Sequence, residues 1–388
     1  MSAAATTRPT TTGPGTLRTT AAVCRAPGTS WEITELTLDP PHAHEVRVRF
    51  HAAGLCRSDD HITSGEALVR TPMVGGHEGA GTVESVGPDV TRVRPGDRIV
   101  CSYIPACGTC GPCSSGHQNM CEHGLNAFSG MFGDDSFRFH DDDGTDIGGF
   151  CTVGSFSEYA VVSEWACVPI DDDVPFELAA LVGCGVPTGW GSAVHAAGVR
   201  AGQTVVVYGC GGVGSNALQG ARHAGAAVVV AVDPVAFKRE SAVTFGATHT
   251  VADADAAHDL VAELTGGRMA DHAICIPTLM TREVMDSAVA VVGVDGQVTV
   301  TAMSRHDDPA ITVPASALVG DQKRIRGALF GDSNPLHDIP RLLGLHRAGA
   351  LRLDELVSRR YRLDQVNDGY ADLAAGTILR GVIRHRGD

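Results

Sequence analysis

Long apolar runs are missing from this chain of 388 residues. No stretch of 18 consecutive apolar residues occurs, which excludes an ordinary membrane-spanning helix. The first 18 residues, MSAAATTRPTTTGPGTLR, also lack the apolar segment of a secretion signal, and their Thr, Ala, Pro and Gly content predicts a disordered tail. We therefore expect a cytoplasmic protein without a membrane anchor.

Positive charge is scarce as well. Lysine occurs only at Lys238 and Lys323, and 45 acidic residues outnumber 30 basic ones, for a net charge of −15. Because nucleic acids and anionic membranes select basic surfaces, neither is expected as the main partner. The content of 43% hydrophobic and 19% charged residues is typical of a globular protein, and the length predicts two domains.

The pattern of hydrophobic residues changes along the chain. The first 180 or so residues contain short strand patterns separated by Gly and Pro, such as EVRVRFHAA at 45–53, and few helical patterns. From about residue 203, apolar strands such as QTVVVY alternate with helical stretches. Such alternation predicts a parallel sheet covered by helices on both faces, so the fold class is α/β with a preceding β-rich domain.

A glycine-rich loop follows the QTVVVY strand. Gly209, Gly211 and Gly214 form a G-x-G-x-x-G motif that opens a helix, and Asp233 ends the next apolar strand. Such glycines let a pyrophosphate approach the helix N-terminus, and the acid binds ribose hydroxyls, which favours NAD over NADP. The alternative is a tight strand-to-helix turn without a ligand.

Cysteine is abundant for a chain without a secretion signal, with 12 residues, so metal binding is favoured over disulfides. Four of them, Cys107, Cys110, Cys113 and Cys121, are spaced C-x2-C-x2-C-x7-C. Four thiolates on a short glycine-containing loop are typical of structural zinc, and an iron–sulfur cluster is the chemical alternative.

A second set of potential metal ligands is dispersed along the chain. Cys56 lies in GLCRSDDH, His77 and Glu78 lie in GGHEGAG, and Cys184 lies in GCGVPTGW. Two Cys and one His are the protein ligands of some catalytic zinc sites, which leave the fourth position open. Spacing alone does not bring these residues together. Taken singly, His77 is an ordinary loop histidine and Cys184 a small buried hydrophobic residue.

Taken together and in this order, the motifs resemble those of zinc-containing medium-chain alcohol dehydrogenases. The resemblance runs from about residue 20 to the C-terminus, and FGDSNPLHDIP, VNDGYADL and RGVIR are most similar to an actinobacterial nicotinoprotein subgroup that is assayed with a nitroso acceptor. It implies a GroES-like catalytic domain over 19–185 and a Rossmann domain over 186–328. Residues 329–388 would return to the catalytic domain, after a tail over 1–18.

The resemblance also implies roles for individual residues. Catalytic zinc would be bound by Cys56, His77 and Cys184, with Glu78 behind the metal and Asp59 bonded to His77. Ser58 and His61 would carry the alcohol proton to solvent, and Tyr103 would line the substrate pocket. The implied NAD(H) contacts are Arg57, Thr188, Gly209, Gly211, Gly212, Val213, Gly214, Asp233, Lys238 and Arg380. Surface charge is the alternative for Arg57 and Lys238, and ordinary core packing for Tyr103.

The implied activity is the interconversion of an alcohol and an aldehyde or ketone with NAD(H) and two zinc ions per chain, in a homodimer or homotetramer. Three readings stay open: exchange of free NAD, a nicotinoprotein whose bound cofactor is recycled by an external redox partner, and a non-catalytic zinc and dinucleotide protein. The pair of Ser58 and His61 argues against the last, because such a protein needs no proton relay.

Overall fold

The structure is a computed structural model that describes residues 15–308 and 311–385. Within these residues the chain divides into two compact units. The first unit ends at Cys184 and takes back residues 357–373 and the segment from Arg380 onward. The second unit contains residues 185–356 and 374–379.

The strands in chain order are β1 (Leu17–Cys24), β2 (Glu32–Leu38), β3 (Glu45–Gly54), β4 (Met73–Val74), β5 (Gly79–Val86), β6 (Arg98–Cys101), β7 (Phe139–His140), β8 (Asp146–Gly149), β9 (Tyr159–Ser163), β10 (Cys167–Pro169), β11 (Thr204–Tyr208), β12 (Val228–Val232), β13 (His249–Val251), β14 (Ala270–Cys275), β15 (Val292–Val300), β16 (Arg324–Gly327), β17 (Val357–Arg362) and β18 (Arg380–Arg384). The α-helices are α1 (Arg57–Ser64), α2 (Gly111–Ser114), α3 (Phe176–Leu181), α4 (Gly185–Gly191), α5 (Gly212–His223), α6 (Ala236–Thr244), α7 (Ala254–Thr265), α8 (Arg282–Val291), α9 (Ala315–Asp321), α10 (Pro335–Arg347) and α11 (Val366–Ala374).

The first unit is rich in β-structure. Strands β1, β2, β7, β8 and β4 close into a barrel, and a second sheet has the order β10-β6-β5-β3-β18-β17 with β9 also paired to β3. In β3, the buried side chains of Val46, Val48 and Phe50 alternate with half-buried Arg47 and Arg49, as the two-residue period predicts. Strand β18, from the end of the chain, pairs antiparallel with β3 in the middle of this sheet.

The second unit is a parallel six-stranded sheet with the order β13-β12-β11-β14-β15-β16. Its central strand β11 is buried at every position, because helices cover both faces of such a sheet. The chain enters the sheet at β11, and the strand order reverses between β11 and β14, which is the position where Rossmann folds bind ligands. The α/β fold class, a β-rich unit joined to a doubly wound parallel sheet, is therefore confirmed.

Two predicted boundaries differ from the structure. The tail was expected to reach residue 18, but Leu17 and Arg18 already belong to β1, where they pair with Leu38 and Thr37; residues 1–14 lie outside the described part. The segment 329–388 was expected to return as a whole, whereas 329–356 and 374–379 belong to the second unit. The reason is that α10, with its buried residues Ile339, Leu342 and Leu343, contacts α4 of the second unit.

No helix within residues 15–308 and 311–385 combines the length and the apolarity needed to cross a membrane.

Candidate functional site

Four potential metal ligands converge in the first unit. Cys56 lies between β3 and α1, His77 and Glu78 immediately precede β5, and Cys184 follows α3. One ligand atom from each side chain lies within 4.8 Å of those of the other three, and all four residues are buried. The fold therefore brings together a ligand set that spacing alone did not.

The two cysteines of this set are hydrogen-bonded to each other. The hydrogen bond from the Cys184 thiol lowers the pKa of Cys56 well below its usual value, and His77 adds to the effect against the cost of burial. The same bond raises the pKa of Cys184. A bound cation would favour the thiolate form of both side chains, as expected of cysteine metal ligands.

Asp59 lies directly behind His77. Its Oδ2 atom is 3.0 Å from Nδ1 of His77, and its Oδ1 atom accepts a hydrogen bond of 2.7 Å from the backbone N–H of Gly76. Burial lowers the pKa of His77, but Asp59 and Cys56 raise it by more. Because Nδ1 of His77 faces Asp59, Nε2 is the ring nitrogen left to bind a metal.

Two aromatic rings stand edge-on to His77. Tyr103 lies 5.7 Å from it and Phe150 lies 5.3 Å from it, measured between ring centroids. Tyr103 is thus placed beside the metal-ligand cluster, and its role in the substrate pocket stays a prediction. Phe150 was not predicted, because the course of loop 126–155 could not be derived from the sequence.

Arg380 is placed beside Glu78. The guanidinium of Arg380 pairs with the Glu78 carboxylate, and both side chains are buried. Burial lowers the pKa of Arg380, but Glu78, Cys56 and Cys184 raise it by more. Arg380 was expected to bind pyrophosphate, and the contact that the structure shows for it is to the metal-ligand cluster.

The four-cysteine loop forms a second cluster, in which the ligand atoms of Cys107, Cys110, Cys113 and Cys121 lie within 4.8 Å of one another. Backbone N–H groups of Cys110 and Thr109 donate to Cys107 Sγ at 3.3 and 3.4 Å. Burial raises the pKa of Cys107, but these bonds lower it by more, to about 6. A thiol that ionises this readily fits a site built for a cation.

A third group of potential ligands, His42, Glu45 and Asp134, already holds a cation of the chain itself. The buried guanidinium of Arg138 donates to Glu45 at 2.6 and 2.7 Å and to Asp134 at 2.8 Å. We therefore assign this group to an internal ion pair and not to a metal.

Helix α1 carries the residues proposed to move a proton. Ser58 Oγ lies 3.7 Å from Cys56 Sγ, and the His61 side chain is buried three residues further along. Arg57 donates to Asp60 at 2.5 Å and to the Leu373 carbonyl at 3.2 Å. Asp60 is thus the ion-pair partner of Arg57.

The glycine loop of the second unit has the backbone that a dinucleotide needs. Gly209 adopts a φ of +86°, and a Cβ atom at Gly214 would overlap the Gly209 carbonyl, so neither position accepts a side chain. A Cβ at Gly211 would meet nothing within 4 Å, and no side chain caps the start of α5 among the described residues. The backbone N–H groups in the first turn of α5, beginning with Gly212 and Val213, therefore fit a pyrophosphate.

Asp233 lies next to this loop. Its carboxylate accepts hydrogen bonds of 2.9 Å from the N–H groups of Cys210 and Val235. Lys238 lies on α6 in the same unit, and Thr188 is buried in α4. Contacts of these three residues with NAD(H) stay predictions.

Sequence reasoning missed Glu66. Its Oε2 atom lies 2.7 Å from Nδ1 of His61. An acidic residue immediately after the glycine that ends α1 was the signal that could have identified it.

Comparisons with known proteins agree with this geometry. Residues 42–172 match the alcohol dehydrogenase GroES-like domain model, and residues 212–346 match the zinc-binding dehydrogenase model. The chain is 51% identical to the NDMA-dependent alcohol dehydrogenase of Amycolatopsis methanolica, covering 96% of this chain and 100% of that protein. It is 52% identical to the putative alcohol dehydrogenase D of Mycobacterium tuberculosis H37Rv, with coverage of 95% and 100%.

Solved structures show the same similarity. An alcohol dehydrogenase zinc-binding domain protein from Burkholderia ambifaria superposes with a TM-score of 0.88 at 34% identity. Benzyl alcohol dehydrogenase from Acinetobacter calcoaceticus superposes with a TM-score of 0.87 at 30% identity. Both alignments cover 95% of this chain and 99% of the other. The chain therefore belongs to the zinc-binding alcohol dehydrogenase family with a GroES-like domain.

Proposed function

We propose that this protein is a zinc-dependent alcohol dehydrogenase that interconverts an alcohol and an aldehyde or ketone while keeping NAD(H) bound. The observation that carries this proposal is the buried cluster of Cys56, His77, Glu78 and Cys184, whose ligand atoms lie within 4.8 Å of one another. The similarity to an NDMA-dependent relative supports the retained cofactor.

When bound, zinc supplies a Lewis acid for the substrate oxygen, and NAD(H) supplies or takes the hydride. Cys56, His77 and Cys184 would hold the metal, and Asp59 would orient the His77 ring. Glu78, held by Arg380, would lie behind this set. Tyr103 would restrict the substrate beside His77.

The proton that leaves the alcohol would pass along α1. Ser58 would accept it at Oγ, and His61 would transfer it to solvent, because imidazole both accepts and donates protons. Gly209, Gly211 and Gly214 would hold the dinucleotide phosphates, with Arg57 and Arg380 as further phosphate contacts. Asp233 and Lys238 would bind the adenosine ribose, and Thr188 would lie near the nicotinamide.

Two finer points belong to the same proposal. The four-cysteine loop would bind a structural zinc, which gives two zinc ions per chain. The enzyme would act as a homodimer or homotetramer, and an external redox partner would reoxidise the bound cofactor.

The test is a cofactor release and activity measurement on the purified protein. After denaturation we expect about one NAD(H) per chain in the supernatant, and alcohol oxidation with a nitroso acceptor should proceed without added NAD. If no NAD(H) is released but added NAD supports turnover, the cofactor is dissociable. If no alcohol is oxidised under either condition, the proposed activity is wrong.

A further inference from the structure

The segment after α1 folds back onto the helix. Gly65 ends α1 in the left-handed conformation with φ of +74°, and the Ala67 N–H donates to the His61 carbonyl at 3.2 Å. Glu66 follows His61 by five residues, and this turn brings its side chain within reach of the His61 ring. The Oε2 atom of Glu66 lies 2.7 Å from Nδ1 of His61.

This contact determines which ring nitrogen carries the hydrogen. An ionised carboxylate only accepts hydrogen bonds, so the nitrogen that faces it must be the donor. With Nδ1 protonated, the lone pair of a neutral imidazole lies on Nε2. Ser64 donates to the same Glu66 oxygen at 3.0 Å, which helps to hold the carboxylate in place.

We propose that Glu66 is a positioning residue for the proton relay, which keeps His61 in the tautomer whose Nε2 accepts the proton. The inference rests on the proposed function, because it gives His61 a proton to accept. The side chains of His61 and Glu66 are 10% and 23% exposed, so the pair lies where a buried relay meets solvent.

If Glu66 only stabilised the turn after α1, its substitution would have different effects from those of a residue that fixes the His61 tautomer. Glu66→Gln keeps the size of the side chain but removes the charge, and its amide no longer dictates which ring nitrogen is the donor. Loss of a turn contact would change stability, whereas loss of the tautomer would change proton transfer through His61 alone.

The experiment is a double-mutant cycle on the NAD(H)-loaded protein, with benzyl alcohol as probe substrate and a nitroso compound as acceptor. We expect Glu66→Gln to lower kcat about ten-fold with little change in KM, and His61→Gln to lower it about 100-fold. The double variant should be no slower than His61→Gln, because Glu66 acts through that ring. Glu84→Gln, which removes a half-exposed carboxylate that pairs with Arg47, serves as the control.

A second readout does not depend on turnover. In protein labelled with ¹⁵N-histidine, signals that disappear in His61→Gln identify this ring. The wild-type ring should show a protonated Nδ1 and an unprotonated Nε2. In Glu66→Gln both tautomers should be populated, so the chemical shifts of the two nitrogens should converge. Glu66→Asp, which keeps the charge, should retain most of the wild-type signature.

The outcomes separate the two proposals. Additive losses in the double variant, or an unchanged ring signature in Glu66→Gln, would overturn the role of Glu66 while leaving the relay intact. Full activity of His61→Gln would instead remove His61 from the relay of the proposed function.

Discussion

Arg380 and Glu78 form a buried ion pair between residues 302 positions apart in the sequence. Arg380 lies in β18, near the end of the chain, and Glu78 is the member of the metal-ligand cluster that immediately precedes β5. A Cβ atom at Gly54 would collide with the Glu78 carboxylate, so a side chain at this position would displace Glu78 from the pair. The last strand of the chain therefore completes the surroundings of the proposed metal site.

We expect Arg380→Leu to destabilise the protein strongly. Removal of one partner leaves the Glu78 charge buried without its counter-ion, which costs about 3–5 kcal/mol. Urea unfolding measures this loss. The matched control is Arg384→Leu, which removes an exposed partner of Glu177 and should cost less than about 1 kcal/mol. Equal effects of the two substitutions would contradict a special role for the buried pair.

Cys184→Ala should abolish turnover and leave a folded protein. The substitution removes one of the three proposed ligands of catalytic zinc but little buried volume. Metal analysis and an activity assay should show one zinc per chain lost along with activity. Cys275→Ala is the control, because Cys275 is buried in β14 and lies outside both cysteine clusters. Full activity of Cys184→Ala would show that metal catalysis does not use this residue.

Cys107→Ser should release the other metal. A serine hydroxyl does not ionise near neutral pH, so the four-cysteine cluster would lose the thiolate whose pKa is about 6. Metal analysis should find about two zinc ions per chain in the wild type and one in the variant, with resistance to proteolysis lowered around residues 105–125. Iron with visible absorbance in the wild type would instead identify an iron–sulfur cluster.

His385 should make the protein acid-sensitive. Burial lowers the pKa of His385 to about 4, and the charge of His51 adds to this against the hydrogen bond to the Ser155 carbonyl. An unfolded histidine has a pKa near 6.5, so the unfolded chain binds a proton between about pH 6.5 and 4 that the folded chain does not. The free energy of unfolding therefore falls as pH falls through this window, by up to about 3 kcal/mol.

His385→Gln should remove that contribution. Urea unfolding at pH 8 and pH 5 should show a smaller stability loss on acidification in the variant than in the wild type. The control is His258→Gln, which changes a half-exposed histidine on α7 and should leave the pH dependence unaltered. If the wild type and His385→Gln respond equally to acid, His385 is not the group responsible.

Local sequence patterns were enough to predict the four-cysteine loop and the glycine loop. The four-cysteine loop closes within 15 residues, from Cys107 to Cys121, so its spacing and glycines were enough to indicate a metal cluster. The glycine loop could likewise be predicted locally, because a Cβ atom at Gly214 would overlap the carbonyl of Gly209, only five residues earlier. Resemblance was needed to connect Cys56 with His77 and Cys184, because nothing in their spacing requires contact.

Contacts between distant segments could not be predicted in this way. Glu78 pairs with Arg380, and Arg57 bonds to Leu373; both contacts depend on how residues 357–373 and 380–385 return to the first unit. The contact of Glu66 with His61 is short in sequence but depends on the left-handed turn at Gly65.

The sequence by itself thus determined the local features of this protein: the strand and helix periods, the glycine turns and which side chains are candidate metal ligands. Those properties follow from local backbone preferences and from the chemistry of single residues. Only the tertiary structure decided which buried charges neutralise one another and which nitrogen of His61 faces a carboxylate. The reason is that a buried charge requires a partner, and which side chain comes within reach depends on the packing of the whole unit.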